Sequence, residues 1–475
     1  MVLLLSILTI GKCSIGTNYN IRPKVDERVE LLSIVFRLAD ASEYKMCSLK
    51  AYSQKIDSSF LKYKNHQTIL FVKKIRKENS IYFERVMSIA LHLKIENGII
   101  SLNEKLLKTD INKRLGKYLN EFVRSLNVFY KESAFNEFFI SNEEYYKQTE
   151  NNFQIALDKI DFPWFERYYG EMPNINFNVV LCLNNGRANY GPKISFPDGR
   201  SEVYSILGAW DTDAKGIPSF DNTYTRLIIH EFSHSFCNTL IEDNYVLMKD
   251  RADQFYKSVK DKMGRQSYRS SKKMLYETLV RASVIKYLQS HIDNKDISEN
   301  LIEYELSKEK ANGFLGIKGL VDLLSSYEQG NYKTLREFMP KVVELQNSLL
   351  AVDMLAEIAK NSPQITSSTI QNDDMNVDPS TTKLILTFDK PMNTWNTEYT
   401  FRKNGNKTLP KLREAEWNCE TKYQITFIVE LEPNREYSVK FPASRFFDQE
   451  FGNPLIETFR LNFKTSSAIN LKTKP

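Results

Sequence analysis

The segment LIIHEFSH at residues 227–234 sets two histidines, His230 and His234, four residues apart, with Glu231 directly after the first. On a helix, residues four apart stand on one face, one turn from each other. Two such imidazoles can grip a single metal ion from a rigid platform. Glu231 then reaches the water carried by that ion without binding the ion itself, as in an H-E-x-x-H zinc site. Zinc held in this way brings the water's pKa toward ~7, and the glutamate takes the proton and later passes it to a leaving amine. The chain has only 5 His, and a shuffled chain of this composition yields the motif with a probability under about 1%. The competing reading is a chance cluster hydrogen-bonded within a helical core. The apolar residues around the motif predict a buried helix, where two unliganded histidines and a glutamate are costly.

A catalytic zinc takes three protein ligands and leaves the fourth position to water. The extended pattern H-E-x-x-H-x-x-G-x-x-H fails, because Cys237 stands where its Gly belongs and Leu240 where its last His belongs. The three-histidine class is thereby excluded. His66, His92 and His291 have no helical partner, and each reads as a hydrogen-bonded structural residue. An acidic third ligand is expected. Glu277 is the best placed, a single acid among Leu275, Leu279, Val280 and Val284, with Arg281 one turn on. Its bland reading is a Glu–Arg pair on a helix surface. Glu242 and Asp243 are the runners-up. Asn238 is expected to cap the end of the motif helix. Tyr190, Tyr268 and Tyr276 are candidate donors to a tetrahedral intermediate. The strand at 202–207 is a candidate for pairing with an extended peptide.

Around these residues the 475-residue chain reads as two or three domains, each able to bury a core. Residues 22–169 are mostly helical in pattern, with periodic apolar positions at 25–38, 81–93 and 115–130. Strands are expected at 177–183 and 202–207, with a turn at Asn184, Asn185 and Gly186. Pro218 and Asp221 signal the start of the motif helix, and further helices are expected at 274–289 and 332–358. Near Asn361 the composition turns rich in Ser, Thr, Asn and Asp. Beyond it apolar residues alternate, as at Leu384, Leu386 and Phe388, or Ile425, Phe427 and Val429. Asn404–Gly405 is a hairpin-type turn, and the tail reads as a small β-sandwich.

Hydrophobic residues make up 42% and charged residues 26%, which excludes disordered and collagen-like classes. The net charge of +6 comes from 65 basic and 59 acidic residues without a long basic block, so no nucleic-acid partner is expected. No apolar stretch is long enough to span a membrane. The apolar run Val2–Ile10, followed by small residues to Gly16, has the shape of a secretory signal. It lacks a basic residue before the apolar run. Cys13 offers the alternative of a lipidated N-terminus. The other cysteines, Cys47, Cys182, Cys237 and Cys419, are scattered and form neither a disulfide framework nor a cysteine zinc site.

The stretches HEFSHSFCN (230–238), YETLVRA (276–282), PKVDERVELL (23–32) and YKNH (63–66) resemble the bacterial family catalogued as domain of unknown function 4932. Its members are zincin-like predicted metallopeptidases, typically exported. The resemblance covers residues 21–350 and implies His230, His234 and Glu277 as zinc ligands and Glu231 as the catalytic acid/base. It implies no particular substrate. The tail, with VDP at 377–379 and LTFDKPM at 386–392, is similar to bacterial Ig-like domains of surface and envelope proteins, which implies a spacer or docking module.

The expected architecture is therefore multidomain. A signal peptide at 1–16 precedes an α+β, zincin-like and mostly helical catalytic domain at 17–358. A linker at 359–375 leads to an all-β Ig-like sandwich at 376–468. The expected function is a zinc-dependent metallopeptidase of the Glu-zincin kind, acting on a peptide or protein substrate. It is expected to be exported to the periplasm, the cell surface or the medium. Envelope association would run through the Ig-like domain or a lipidated N-terminus. Two alternatives stand beside it. One is a catalytically silent, zincin-like envelope binding or adhesion protein. The other is a closed structural metal site with a fourth protein ligand.

Overall fold

The computed structural model describes residues 21–106, 109–171, 175–395 and 409–467. The expected signal at 1–16, with Cys13, and the Asn404–Gly405 turn lie outside the described residues. The chain divides into two units, Met1–Phe236 and Cys237–Pro475, and the division falls inside one long helix.

Among the described residues nine helices precede that long one: α1 (Glu27–Leu38), α2 (Lys50–Phe60), α3 (Gln67–Glu78), α4 (Glu84–Leu91), α5 (Thr109–Leu115), α6 (Leu119–Glu132), α7 (Phe135–Ser141), α8 (Glu143–Leu157) and α9 (Phe162–Tyr169). Helix α1 is the central one. Val29, Leu31, Leu32, Ile34, Val35 and Phe36 are all fully buried, the signature of a helix covered on every side. Its start is set by Asp26, which accepts a hydrogen bond from the Arg28 amide at 3.0 Å and pairs with the Arg28 guanidinium at 2.7 Å.

The helices flank a five-stranded sheet made of β1 (Lys24–Val25), β4 (Ile175–Cys182), β5 (Asn189–Tyr190), β6 (Lys193–Ser195) and β7 (Ser201–Gly208). Strands β1, β4 and β7 are parallel, with Ile175 opposite Ser201 and Cys182 opposite Gly208. Strands β5 and β6 pair antiparallel with β7 and close that edge. The run Val179–Leu183 is buried, as a parallel strand covered on both faces must be. A separate hairpin joins β2 (Leu93–Glu96) to β3 (Ile99–Leu102) through Asn97 and Gly98, both at positive φ. The mostly helical reading of residues 22–169 missed this hairpin and β1. A last short pair, β8 (Asp211–Thr212) and β9 (Pro218–Ser219), leads into the long helix.

The long helix α10 (Asn222–Arg265) is followed by α11 (Ser271–His291), α12 (Lys295–Asn312), α13 (Ile317–Gln329), α14 (Leu335–Ser348) and α15 (Ala351–Asn361). The single helix expected at 332–358 is thus two, separated at Leu349 and Leu350. The tail forms two sheets. One has the order β10 (Ile365–Ser368), β12 (Lys383–Phe388), β14 (Gln424–Glu430), β13 (Lys411–Trp417). The other has the order β11 (Asp374–Val377), β16 (Phe459–Thr465), β15 (Glu436–Phe441). Alternate residues of both sheets, among them Leu386, Phe427, Val439 and Leu461, meet in one core. Strand β10 lies within the span read as linker, because its pairing with β12 already belongs to the sandwich. Among the described residues no helix is long and apolar enough to cross a membrane.

Candidate metal centre

Helix α10 starts where the sequence signals it, with the Asp221 carboxylate accepting from the Thr223 amide at 2.9 Å. Its first turns carry an apolar stripe of Ile228, Ile229, Phe232 and Phe236, each at most 5% exposed. Phe232 packs edge-on against Phe165 at 4.6 Å, Phe177 at 4.8 Å and Phe162 at 5.3 Å between ring centroids. Phe236 stacks on Tyr169 at 4.2 Å. These rings fix the rotation of the helix about its axis, and rotation decides where the opposite stripe points. That stripe holds His230, Glu231 and His234, all half-buried. The helix is buried over most of its circumference here, Ser233, Ser235 and Cys237 included, in line with the expected buried helix, and the histidine stripe is its half-buried part. Burial alone does not oblige the histidines to hold an ion.

Their geometry is more telling. The two Nε2 atoms are 3.2 Å apart, and the ring planes are inclined at 79°. Two nitrogens bound to one tetrahedral zinc at ~2.0–2.1 Å each stand about 3.3 Å apart. A ligand nitrogen of each histidine and a carboxylate oxygen of Glu277 all lie within 4.8 Å of one another. Among the described residues this is the one group of three or more His, Cys, Asp and Glu so arranged. Two imidazoles and a carboxylate are a donor set that suits zinc.

Glu277 lies on α11 and is 8% exposed, so the surface-pair reading of it fails. Cys237 Sγ and Ser283 Oγ meet at 3.6 Å, holding α10 and α11 side by side. The Arg281 guanidinium stands 3.5 Å from the Glu277 carboxylate. It is held more closely by Glu309, at 2.7 Å, and it donates to Tyr268 Oη at 3.1 Å.

The runners-up are engaged elsewhere. Glu242 is exposed and accepts from Tyr276 Oη at 2.5 Å, and Asp243 is exposed and paired with Arg336. Tyr276 Oη thus donates to Glu242, whereas Tyr268 Oη accepts from Arg281 and also interacts with Glu277. Tyr190 is buried on β5. The remaining histidines are structural. His66 caps α3 by accepting from the Thr68 amide, His92 bonds the Ser88 carbonyl, and His291 bonds the Tyr287 carbonyl.

Two expectations are overturned. Asn238 does not end the motif helix, because α10 continues unbroken to Arg265. The strand at 202–207, now β7, cannot take up an added peptide strand. It is flanked by β4 on one side and by β5 and β6 on the other. The edge of the sheet on that side is β5–β6, and the other edge is β1. Between β5 and β6 lies Gly191, where an added Cβ would come within 3.0 Å of Glu231 Oε2. The Gly191–Pro192 dipeptide was a visible turn signal, but nothing local linked it to the motif.

The family described as domain of unknown function (DUF4932) matches residues 21–345, and a bacterial Ig-like domain matches residues 359–465. No curated protein matches. Among solved structures, that of the S-layer protein rSbsC matches at 15% identity and a TM-score of 0.18, covering 55% of this chain. The match spans 35% of that S-layer chain, and a likeness so slight carries no argument.

Proposed function

The chain belongs to the DUF4932 family, and on the geometry of its histidine–carboxylate group we propose that it is a zinc-dependent metallopeptidase of the Glu-zincin kind. The observation that carries this reading is the convergence of His230, His234 and Glu277, with Glu231 on the same helix stripe. Three protein ligands are the number a catalytic zinc takes, whereas a closed structural site takes four. The mixed sheet, with its antiparallel edge beside Glu231, supports a zincin-like fold.

In this reading His230, His234 and Glu277 hold the ion. When bound, zinc supplies Lewis acidity that acidifies water and polarises a peptide carbonyl. Glu231 accepts a proton from the attacking water and returns it to the leaving amine. The closeness of Gly191 to the Glu231 carboxylate keeps that face clear of side chains. An extended peptide adding to the β5–β6 edge would run beside the base, its main chain bonded in the manner of an extra strand. Export of the chain is part of the same reading, supported by the apolar run Val2–Ile10 and the bacterial Ig-like domain.

The decisive experiment is Glu231→Gln assayed on a broad peptide library. The variant is expected to retain zinc at wild-type stoichiometry and to lose cleavage by several orders of magnitude. A variant that cleaves as fast as wild type sinks the mechanism. Metal content of His230→Ala and Glu277→Ala tests the ligand set, and both are expected to lose zinc.

A further inference from the structure

The carboxylate of Glu277 sits at one end of a chain of contacts that leads to the Ig-like domain. Arg281, one turn along α11, faces two acids, but the distances are unequal. Glu309 on α12 holds the guanidinium at 2.7 Å, while Glu277 stays at 3.5 Å. Tyr268 accepts from the same guanidinium, and the Phe314 ring lies under it at 4.5 Å. Glu309 itself is 5% exposed and also accepts from Asn312 Nδ2. The arginine is thus held most closely by a second, buried carboxylate, and its pairing with Glu277 is the longer of the two.

The next residue of α12 turns to the sandwich. Lys310 Nζ donates to the Phe451 carbonyl at 2.6 Å and reaches Asn453 Oδ1 at 3.3 Å. The Tyr304 ring meets Phe447 edge-on at 5.9 Å. Gly452, at φ +62, presses so closely on Ser307 that an added Cβ would overlap its hydroxyl. The gripping loop is itself rigid. Asp448, 1% exposed, accepts from the Phe451 and Asn453 amides.

We propose that Glu309 is a positioning residue for Glu277, acting by restraining Arg281, and that the Ig-like domain, clamped on α12 through Lys310 and Gly452, braces this pair. Glu309 keeps Arg281 from closing onto Glu277 and masking a ligand oxygen. The proposal rests on the reading of Glu277 as a ligand. It makes the Ig-like domain a working part of the site and not a free spacer.

The test uses the full chain and zinc alone, titrated against a competing chelator. Glu309→Ala is expected to weaken zinc binding about 10- to 100-fold, the scale on which groups behind a metal ligand act, because Arg281 is then released toward Glu277. Adding Arg281→Met to Glu309→Ala is expected to restore most of that affinity, because no cation then remains to capture Glu277. Simple structural damage would instead deepen with the second substitution, and that result overturns the positioning role. Glu309→Gln, which keeps an acceptor, should fall between Glu309→Ala and wild type.

The brace is read separately, by hydrogen exchange without metal. Gly452→Val and the milder Lys310→Met are expected to raise exchange in α12 and in the Glu277–Arg281 turn of α11, with α14 unchanged. Unchanged exchange in α12 for both variants refutes the brace. Wild type that binds no zinc overturns the ligand role of Glu277, and with it the positioning role, while the exchange result still decides the brace.

Discussion

Glu30 gives the sharpest stability prediction. It lies on α1, fully buried, where its carboxylate accepts from Tyr52 Oη at 2.7 Å and from the Leu183 amide at 2.9 Å. Burial pushes its pKa from 4.5 up to about 7, against the opposing pull of those two hydrogen bonds. Between those values the folded protein keeps a proton that the unfolded chain gives up. Stability therefore falls as pH rises from about 4.5 to about 7, and the loss is complete above that. At about 1.4 kcal/mol per pKa unit, it amounts to ~3 kcal/mol. Glu30→Gln removes the titration. Its carbonyl can still accept from Leu183, and its amide can donate to Tyr52 Oη, whose own proton turns to Tyr146 Oη, 2.8 Å away. Urea denaturation of both proteins at pH 5, 6, 7 and 8 is the assay. The variant should gain about 2.5 kcal/mol relative to wild type between pH 5 and pH 8, since part of the loss has already occurred by pH 5. A difference that stays flat within about 0.5 kcal/mol, the size of an ordinary surface substitution, refutes the burial argument.

Other outcomes follow from the same contacts. Gly191→Val should crowd the Glu231 carboxylate and cut peptide cleavage at least ~10-fold with zinc content unchanged, since misplacing a catalytic group slightly is enough. Phe232→Ala empties the ring cluster behind the motif and should cost about 3–5 kcal/mol in urea unfolding. For Asp26, burial raises the pKa, but Arg28 and Lys24 outweigh it and hold the carboxyl well below the usual carboxylate range. That stability is present above about pH 4 and lost as pH falls. Asp26→Asn should therefore cost about 3 kcal/mol near neutral pH, and its deficit against wild type should shrink on acidification. Removing metal with a chelator should abolish cleavage, and adding zinc back should restore it.

Much of the tail was legible, because alternation with a period of two has one meaning on a sheet with one covered face, as at Leu384, Leu386 and Phe388. The Asn97–Gly98 hairpin was legible too, but it was submerged in a helical half. Asn238 misled, since a short polar residue after a motif resembles a helix end, whereas α10 runs on to Arg265. The strand at 202–207 was read as open to pairing although it is an inner strand, because strand order depends on pairings between distant segments, and no local pattern separates an inner strand from an edge.

Local spacing by itself determined that His230 and His234 share a face, since the helical repeat turns a gap of four into adjacency. It also determined that Glu231 stands beside them. Only the tertiary structure brought Glu277, and not Glu242 or Asp243, to the two histidines, put Gly191 against the Glu231 carboxylate and joined Arg281 to Glu309. Those choices rest on contacts between residues far apart in the chain, and the energies that select them come from packing, which no short stretch of sequence contains.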